Sequence, residues 1–201
     1  MNNTTTYHNP LQLTLTVQPQ QRQDCGNLSG SSAGLILSQA AQQAPLMVIT
    51  PDTRSAQRLV EEIQFYADPS LRLLNFPDWE TLPYDLFSPH QDIISDRLTT
   101  LYQLPDLGHG VLVLPVTTLM YRLAPTYYVK ANSLLVTCGQ QLNTDKLRQQ
   151  LEASSYRCVS QVVEHGEFAM RGSLLDLFPM GSDTPYRIDL FDDKIDSIRC
   201  F

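Results

Sequence analysis

The chain has 201 residues, 42% of them hydrophobic and 17% charged, with 14 Lys/Arg against 21 Asp/Glu and a formal charge of −7. That length holds one large or two small domains, and the composition is that of a foldable soluble chain rather than a disordered one. The longest apolar runs, such as residues 111–114 and 134–136, fall far short of the ~20 residues a membrane helix needs.

The first six residues carry no positive charge ahead of an apolar run, so a secretory signal is not read there. The expectation is an acidic, cytoplasmic protein with no membrane partner. Residues 1–130 hold seven basic and eleven acidic side chains, and residues 131–201 hold seven and ten. Neither part has the basic block that displaces counterions from phosphates, which disfavours nucleic-acid binding by this chain alone. Cys25, Cys138, Cys158 and Cys200 are scattered, form no C-x-x-C pair, and are joined by no His at zinc-finger spacing. They read as reduced cysteines, and no metal site is expected.

Along the chain, Leu11, Leu13 and Leu15 alternate with polar residues and give a short strand candidate. Residues 46–50 form a compact apolar run, a buried-strand signal. Pro51-Asp52, followed by Leu59, Ile63 and Phe65 or Tyr66, predicts a capped amphipathic helix. Residues 71–75 predict a second strand, and residues 92–104 a helix with Ile94, Leu98, Leu101 and Tyr102 on its stripe. Residues 111–115 predict a third strand, and 116–123 a short helix. Strands alternating with helices argue for parallel pairing with helices on the faces. Near residue 130 the pattern changes. A strand is expected at 133–137, then a helix capped by Asn143-Thr144-Asp145 with Leu147 and Leu151 buried. Strands are expected at 156–164, 167–177, 186–191 and 195–201, the last two joined by Asp192-Asp193-Lys194. The fold expected is α/β: a parallel-sheet domain over 1–130 and a smaller α+β domain over 131–201.

Two segments invite a chemical reading. Between Phe76 and Gln91, Asp78, Glu80 and Asp85 stand among aromatics and prolines ahead of His90. They read either as acid/base carboxylates with a histidine or as a proline-stiffened loop. The other is Gly26-Asn27-Leu28-Ser29-Gly30-Ser31-Ser32-Ala33-Gly34-Leu35-Ile36-Leu37, a Gly/Ser-rich turn entering a helix, as in loops that cradle phosphates. A working phosphate loop reads G-x-x-x-x-G-K-[ST]. Counted from Gly30, Leu35 replaces the second glycine, Ile36 the lysine and Leu37 the hydroxyl. None of the three side chains binds a γ-phosphate or Mg²⁺, so ATP hydrolysis here is disfavoured.

The run Phe76-Pro77-Asp78-Trp79-Glu80-Thr81-Leu82-Pro83-Tyr84-Asp85-Leu86-Phe87-Ser88-Pro89-His90-Gln91-Asp92-Ile93-Ile94-Ser95 resembles the N-terminal module of the bacterial transcription-repair coupling factors. So do Gly166-Glu167-Phe168-Ala169-Met170-Arg171-Gly172-Ser173-Leu174-Leu175-Asp176-Leu177-Phe178-Pro179-Met180-Gly181 and the hairpin from Tyr186 to Arg199. The resemblance spans roughly residues 20–201. That module is similar to the excision-repair protein UvrB. The resemblance implies a helicase-like domain 1a with a degenerate nucleotide loop, followed by a small domain 2 that docks UvrA. There is no room between Tyr84 and Asp92 for the long aromatic hairpin with which UvrB clamps DNA.

In 186–191 the side chains alternate, so Tyr186, Ile188 and Leu190 share one face and Arg187, Asp189 and Phe191 the other. An arginine beside an exposed aromatic has the composition of an interface hot spot. The resemblance assigns Arg171, Arg187 and Phe191 to UvrA contact. The alternative is that both arginines make surface salt bridges, with Asp176 or Asp189 as partners, and that Phe191 is half-buried. The resemblance further implies that a C-terminal domain of a longer chain covers this surface. RNA polymerase, DNA, ATP and Mg²⁺ would then be handled by other domains, with no cofactor in this chain. An ATP- or DNA-dependent enzyme using the Gly30 loop, and a purely structural or autoinhibitory module, are the other classes considered. Because Ile198-Arg199-Cys200-Phe201 lies inside an alternating pattern, the expectation is the front part of a larger protein.

Overall fold

Three strands form the first sheet, in the order β1 (Leu46–Thr50), β3 (Gly110–Pro115), β2 (Arg72–Asn75), and all are parallel. The computed structural model describes residues 22, 24–82 and 84–201, so the alternating Leu11, Leu13 and Leu15 lie outside the described residues. Parallel neighbours need crossovers, and α2 (Thr53–Tyr66) lies on the path from β1 to β2. It starts where its sequence predicts. Extended Asp52 accepts the Ser55 amide at 2.7 Å, and that bond lowers its pKa. Its buried stripe runs through Ala56, Leu59, Val60 and Ile63 at helical spacing. Phe65 and Tyr66 fall off that stripe and are exposed, unlike the expectation for them.

Helix α1 (Ser32–Ala40) packs beside α2, and together they cover the sheet face bearing Val111 and Val113. Central β3 is buried at all six positions, whereas edge strand β1 leaves Met47 and Ile49 exposed. The short helix expected over 116–123 is a 3-10 helix at Val116–Met120.

The second sheet has the order β4 (Arg157–Cys158), β5 (Glu167–Arg171), β6 (Leu174–Phe178), β7 (Tyr186–Phe191), β8 (Lys194–Cys200), with only β4–β5 parallel. Its core joins Leu147 and Leu151 of α5 (Thr144–Ala153) to Phe168, Leu175, Ile188 and Ile195. Asn143 caps α5 as expected, accepting the Lys146 amide at 2.8 Å. A short helix, α4 (Thr126–Ala131), was not anticipated.

Three strand expectations are corrected. The run 167–177 is a hairpin of two strands, because Gly172 at φ 61° turns the chain. Only Arg157–Cys158 of 156–164 is a strand. Residues 133–137 form none. The adjacent Leu134 and Leu135 are both exposed, and the chain reaches the β8 edge later, where the Gly139 amide donates to Ile195 O and the Leu142 amide to Asp193 O, each at 2.7 Å.

The chain divides into two compact units, and the division is discontinuous. The sequence up to Asp78 groups with Gln103–Arg122, and Trp79–Tyr102 groups with Leu123–Phe201. A single boundary near residue 130 had been expected. Helix α3 (Gln91–Gln103) accounts for the difference: Ser95 Oγ accepts the Gly181 amide at 2.8 Å, and Asp92 Oδ1 lies 2.8 Å from His165 Nδ1. The buried positions of α3 are Ser95, Arg97, Thr100 and Leu101. Of the expected stripe only Leu101 is among them. Arg97 is buried with its guanidinium 4.0 Å above the Trp79 ring, a cation–π pair.

Candidate functional site

The Gly/Ser-rich segment 26–37 has a packing role in the first unit. Gly30 sits in a turn at φ 58°, and Leu35, Ile36 and Leu37 all lie on α1. Ile36 is buried and Leu37 packs against the core cluster, so the positions of a lysine and a hydroxyl are filled by apolar packing side chains. Ser32 Oγ donates to Ser29 O and Ser31 Oγ bonds Tyr66 Oη, both at 2.8 Å. The hydroxyls at the helix start are thus taken by protein partners.

The acids of the 76–91 loop are not gathered around His90. Asp78 accepts the Thr117 hydroxyl, Asp85 accepts the Leu86 amide at 2.9 Å, and Glu80 is exposed. His90 faces Asp92 at 3.2 Å instead. An acid/base site is not assembled there. Among the described residues, no three His, Cys, Asp or Glu side chains stand together as metal ligands. All four cysteines are free thiols and exposed.

The second sheet has a core face and an outer face. Ile188 is buried while Phe191 is 73% exposed, so β7 presents the two faces its alternation predicts. One end of the outer face is covered by residues 159–165. Glu167 accepts the Val163 and Glu164 amides at 2.8 and 2.9 Å, and the His165 ring lies 4.0 Å from that of Phe178. The rest of the outer face runs along β7 from Arg187, paired with Arg199, past Asp189 to Phe191 at the hairpin end, with Arg171 on β5 reaching Ser160 O of the covering segment.

Of the three residues singled out from sequence, Phe191 is unpartnered by protein burial and Arg171 is exposed, donating to Ser160 O. Arg187 is half-exposed and held by Asp176 across the β6–β7 pair, Nε to Oδ1 at 2.6 Å and a terminal nitrogen to Oδ2 at 2.8 Å. Those bonds raise the Arg187 pKa above its ordinary value. Arg199 pairs with Asp189, whose carboxyl is held low first by the Ser197 hydroxyl at 2.6 Å and then by Arg199. Arg171, Arg187 and Arg199 stand on this face with Asp176 and Asp189, and the β7–β8 turn beside it adds Asp192, Asp193 and Lys194. Arg199 and Phe201, whose ring lies 5.0 Å from the Arg187 guanidinium, were not singled out beforehand. Counting back from the Asp192–Asp193 turn puts Ile198 opposite Arg187. The register shift at Asp189/Leu190 brings Arg199 there instead.

Arg187 and Phe191 thus share the outer face of β7, four residues apart along the strand. Residues 134–201 match the UvrB interaction domain family. The chain is 50% identical over 190 residues to the transcription-repair-coupling factor of Escherichia coli K12, covering 94% of this chain and 16% of that protein. It is 50% identical over 189 residues to that of Haemophilus influenzae, covering 93% and 16%, and 34% identical over 182 residues to that of Mycobacterium tuberculosis, covering 87% and 14%. The chain belongs to the transcription-repair-coupling factor family. It spans about one sixth of the length of the relatives it matches.

Proposed function

We propose that the chain is a docking adaptor whose second unit captures UvrA, bringing nucleotide excision repair to RNA polymerase stalled at DNA damage. The observation that carries this reading is the outer face of β7. There Arg187 is held in a fixed pose, and Phe191, four residues further along β7 on the same face, keeps 73% of its surface in water. A fixed guanidinium offers paired donors to a partner carboxylate, and burial of the ring supplies an apolar anchor. Arg171 adds positive charge on the same face, and an acidic patch on UvrA is its complement.

In this reading the chain itself does no chemistry. The first unit is a UvrB-like domain 1a acting as a scaffold, and 131–201 contains the UvrB-like domain 2. Leu35, Ile36 and Leu37 give a nucleotide neither an ammonium nor a hydroxyl. ATP and Mg²⁺ would serve the motor of a longer family chain, whose other parts would meet polymerase and DNA and whose C-terminal domain would cover the docking face at rest. Among the described residues no helix is long and apolar enough to cross a membrane, which is compatible with work in the cytoplasm.

Calorimetric titration with UvrA tests the reading. Saturable binding of UvrA, with no saturable uptake of Mg-ATP by the chain, is the expected outcome. Absence of UvrA binding overturns it. A second reading, a module that packs on the rest of its own polypeptide, is favoured by the exposure of Met47 and Ile49 on edge strand β1.

A further inference from the structure

We infer that Asp176 is the positioning residue of the docking face, fixing the Arg187 guanidinium in the one orientation that presents it to a partner carboxylate. The inference rests on the docking reading above.

Register puts the two residues directly opposite each other on β6 and β7. The side chain of Asp176 is 9% exposed and that of Arg187 37%, so the carboxylate lies beneath and the guanidinium covers it. Asp176 engages the side of the guanidinium, using Nε and one terminal nitrogen. An arginine has five N–H donors, so three remain, and they include one on each terminal nitrogen. That end-on pair is the fork that fits a second carboxylate. The Phe201 ring, 5.0 Å from the guanidinium carbon, borders it on another side.

Asp176 supplies the side-chain hydrogen bonds that set this orientation. On its other flank Arg187 faces Arg199 across β8, and like charges opposite each other on neighbouring strands repel. Asp189 draws Arg199 away while Asp176 draws Arg187 towards β6. Losing the Asp176 charge frees Arg187 to swing to Asp189 or into solvent. The donors remain, but their aim is lost.

The test is a double-mutant cycle read by calorimetry against UvrA, with wild type, Asp176→Asn, Arg187→Ala and the double variant. Asp176→Asn is expected to weaken capture by about tenfold, the scale of a charge-assisted contact, and to have little further effect once Arg187 is alanine. Wild-type affinity for Asp176→Asn beside a weakened Arg187→Ala overturns the inference and leaves the docking reading standing. An equal loss in both backgrounds also overturns it, because Asp176 would then act through the fold and not through Arg187. Wild-type affinity for Arg187→Ala overturns the docking reading and the inference with it. If Asp176→Asn lacks the native circular-dichroism melt, Asp176→Glu takes its place with the same outcomes, since it keeps the charge and displaces the carboxylate by one methylene.

Discussion

A Cβ placed on Gly34 would stand 2.7 Å from the Cβ of Glu62 and 2.8 Å from its carbonyl carbon. Helix α1 therefore lies against the α2 backbone at this point, and Gly34 serves helix packing. Gly34→Ala is expected to destabilise the chain by about 1–3 kcal/mol, the range for overpacking a filled contact. A lower denaturation midpoint at unchanged UvrA affinity is the predicted readout. A variant as stable as wild type contradicts the packing role.

The β7–β8 turn makes a prediction of the opposite sign. Asp192 and Asp193 sit at φ 45° and 60°, the left-handed pair of a type I′ hairpin, where Asn-Gly is preferred. Replacing them by Asn-Gly is expected to raise stability by about 0.5–1 kcal/mol. The Leu142 amide still finds its acceptor, because Asp193 provides it from the backbone. A lower melting temperature for that variant would show that the carboxylates have partners beyond the turn.

Glu167 predicts an acid limb in the stability profile. Burial opposes its charge, but the Glu164 and Val163 amides and then Arg157 outweigh it and hold the carboxyl below its ordinary 4.5. A carboxyl whose pKa is lower folded than unfolded contributes stability that is fully present above the unfolded value and lost as pH falls through the folded one. The melting temperature is expected to drop on acidification below about pH 4.5, and Glu167→Gln to flatten that drop. Asp96 runs the other way. Burial first, then the charges of Asp92 and Asp183, raise its pKa, so its ionised form opposes folding at neutral pH. Asp96→Asn is expected to melt higher than wild type at neutral pH, with the gain shrinking as pH falls.

These cases show which features are legible in the sequence. Where one contrast decides an element, the expectation holds: the Asp52 and Asn143 caps, and the alternation that turns Ile188 in and Phe191 out. The 46–50 run is a strand as expected, but at the sheet edge it leaves Met47 and Ile49 exposed and is not buried throughout. Apolar periodicity fails for α3, whose buried positions include Ser95 and Arg97, because Ser95 accepts the Gly181 amide and Arg97 stacks on Trp79. It also misplaces Ser133–Thr137 and merges β5 with β6, since a strand pattern does not reveal a turn until Gly172 takes positive φ. The docking face is legible in composition and not in geometry. Arg187 and Phe191 follow from alternation, but the Asp176 partnership spans a seven-residue loop of unreadable register, and a one-residue shift hides Arg199.

The central claim is that the outer face of the second sheet captures UvrA through Arg187 and Phe191. It is tested most directly by titrating UvrA with the Arg187→Ala/Phe191→Ala double variant, with a circular-dichroism melt run alongside. The account predicts that capture is lost, with a fall in affinity of at least about a hundredfold, while the melt stays native. Wild-type affinity with a native melt would contradict it.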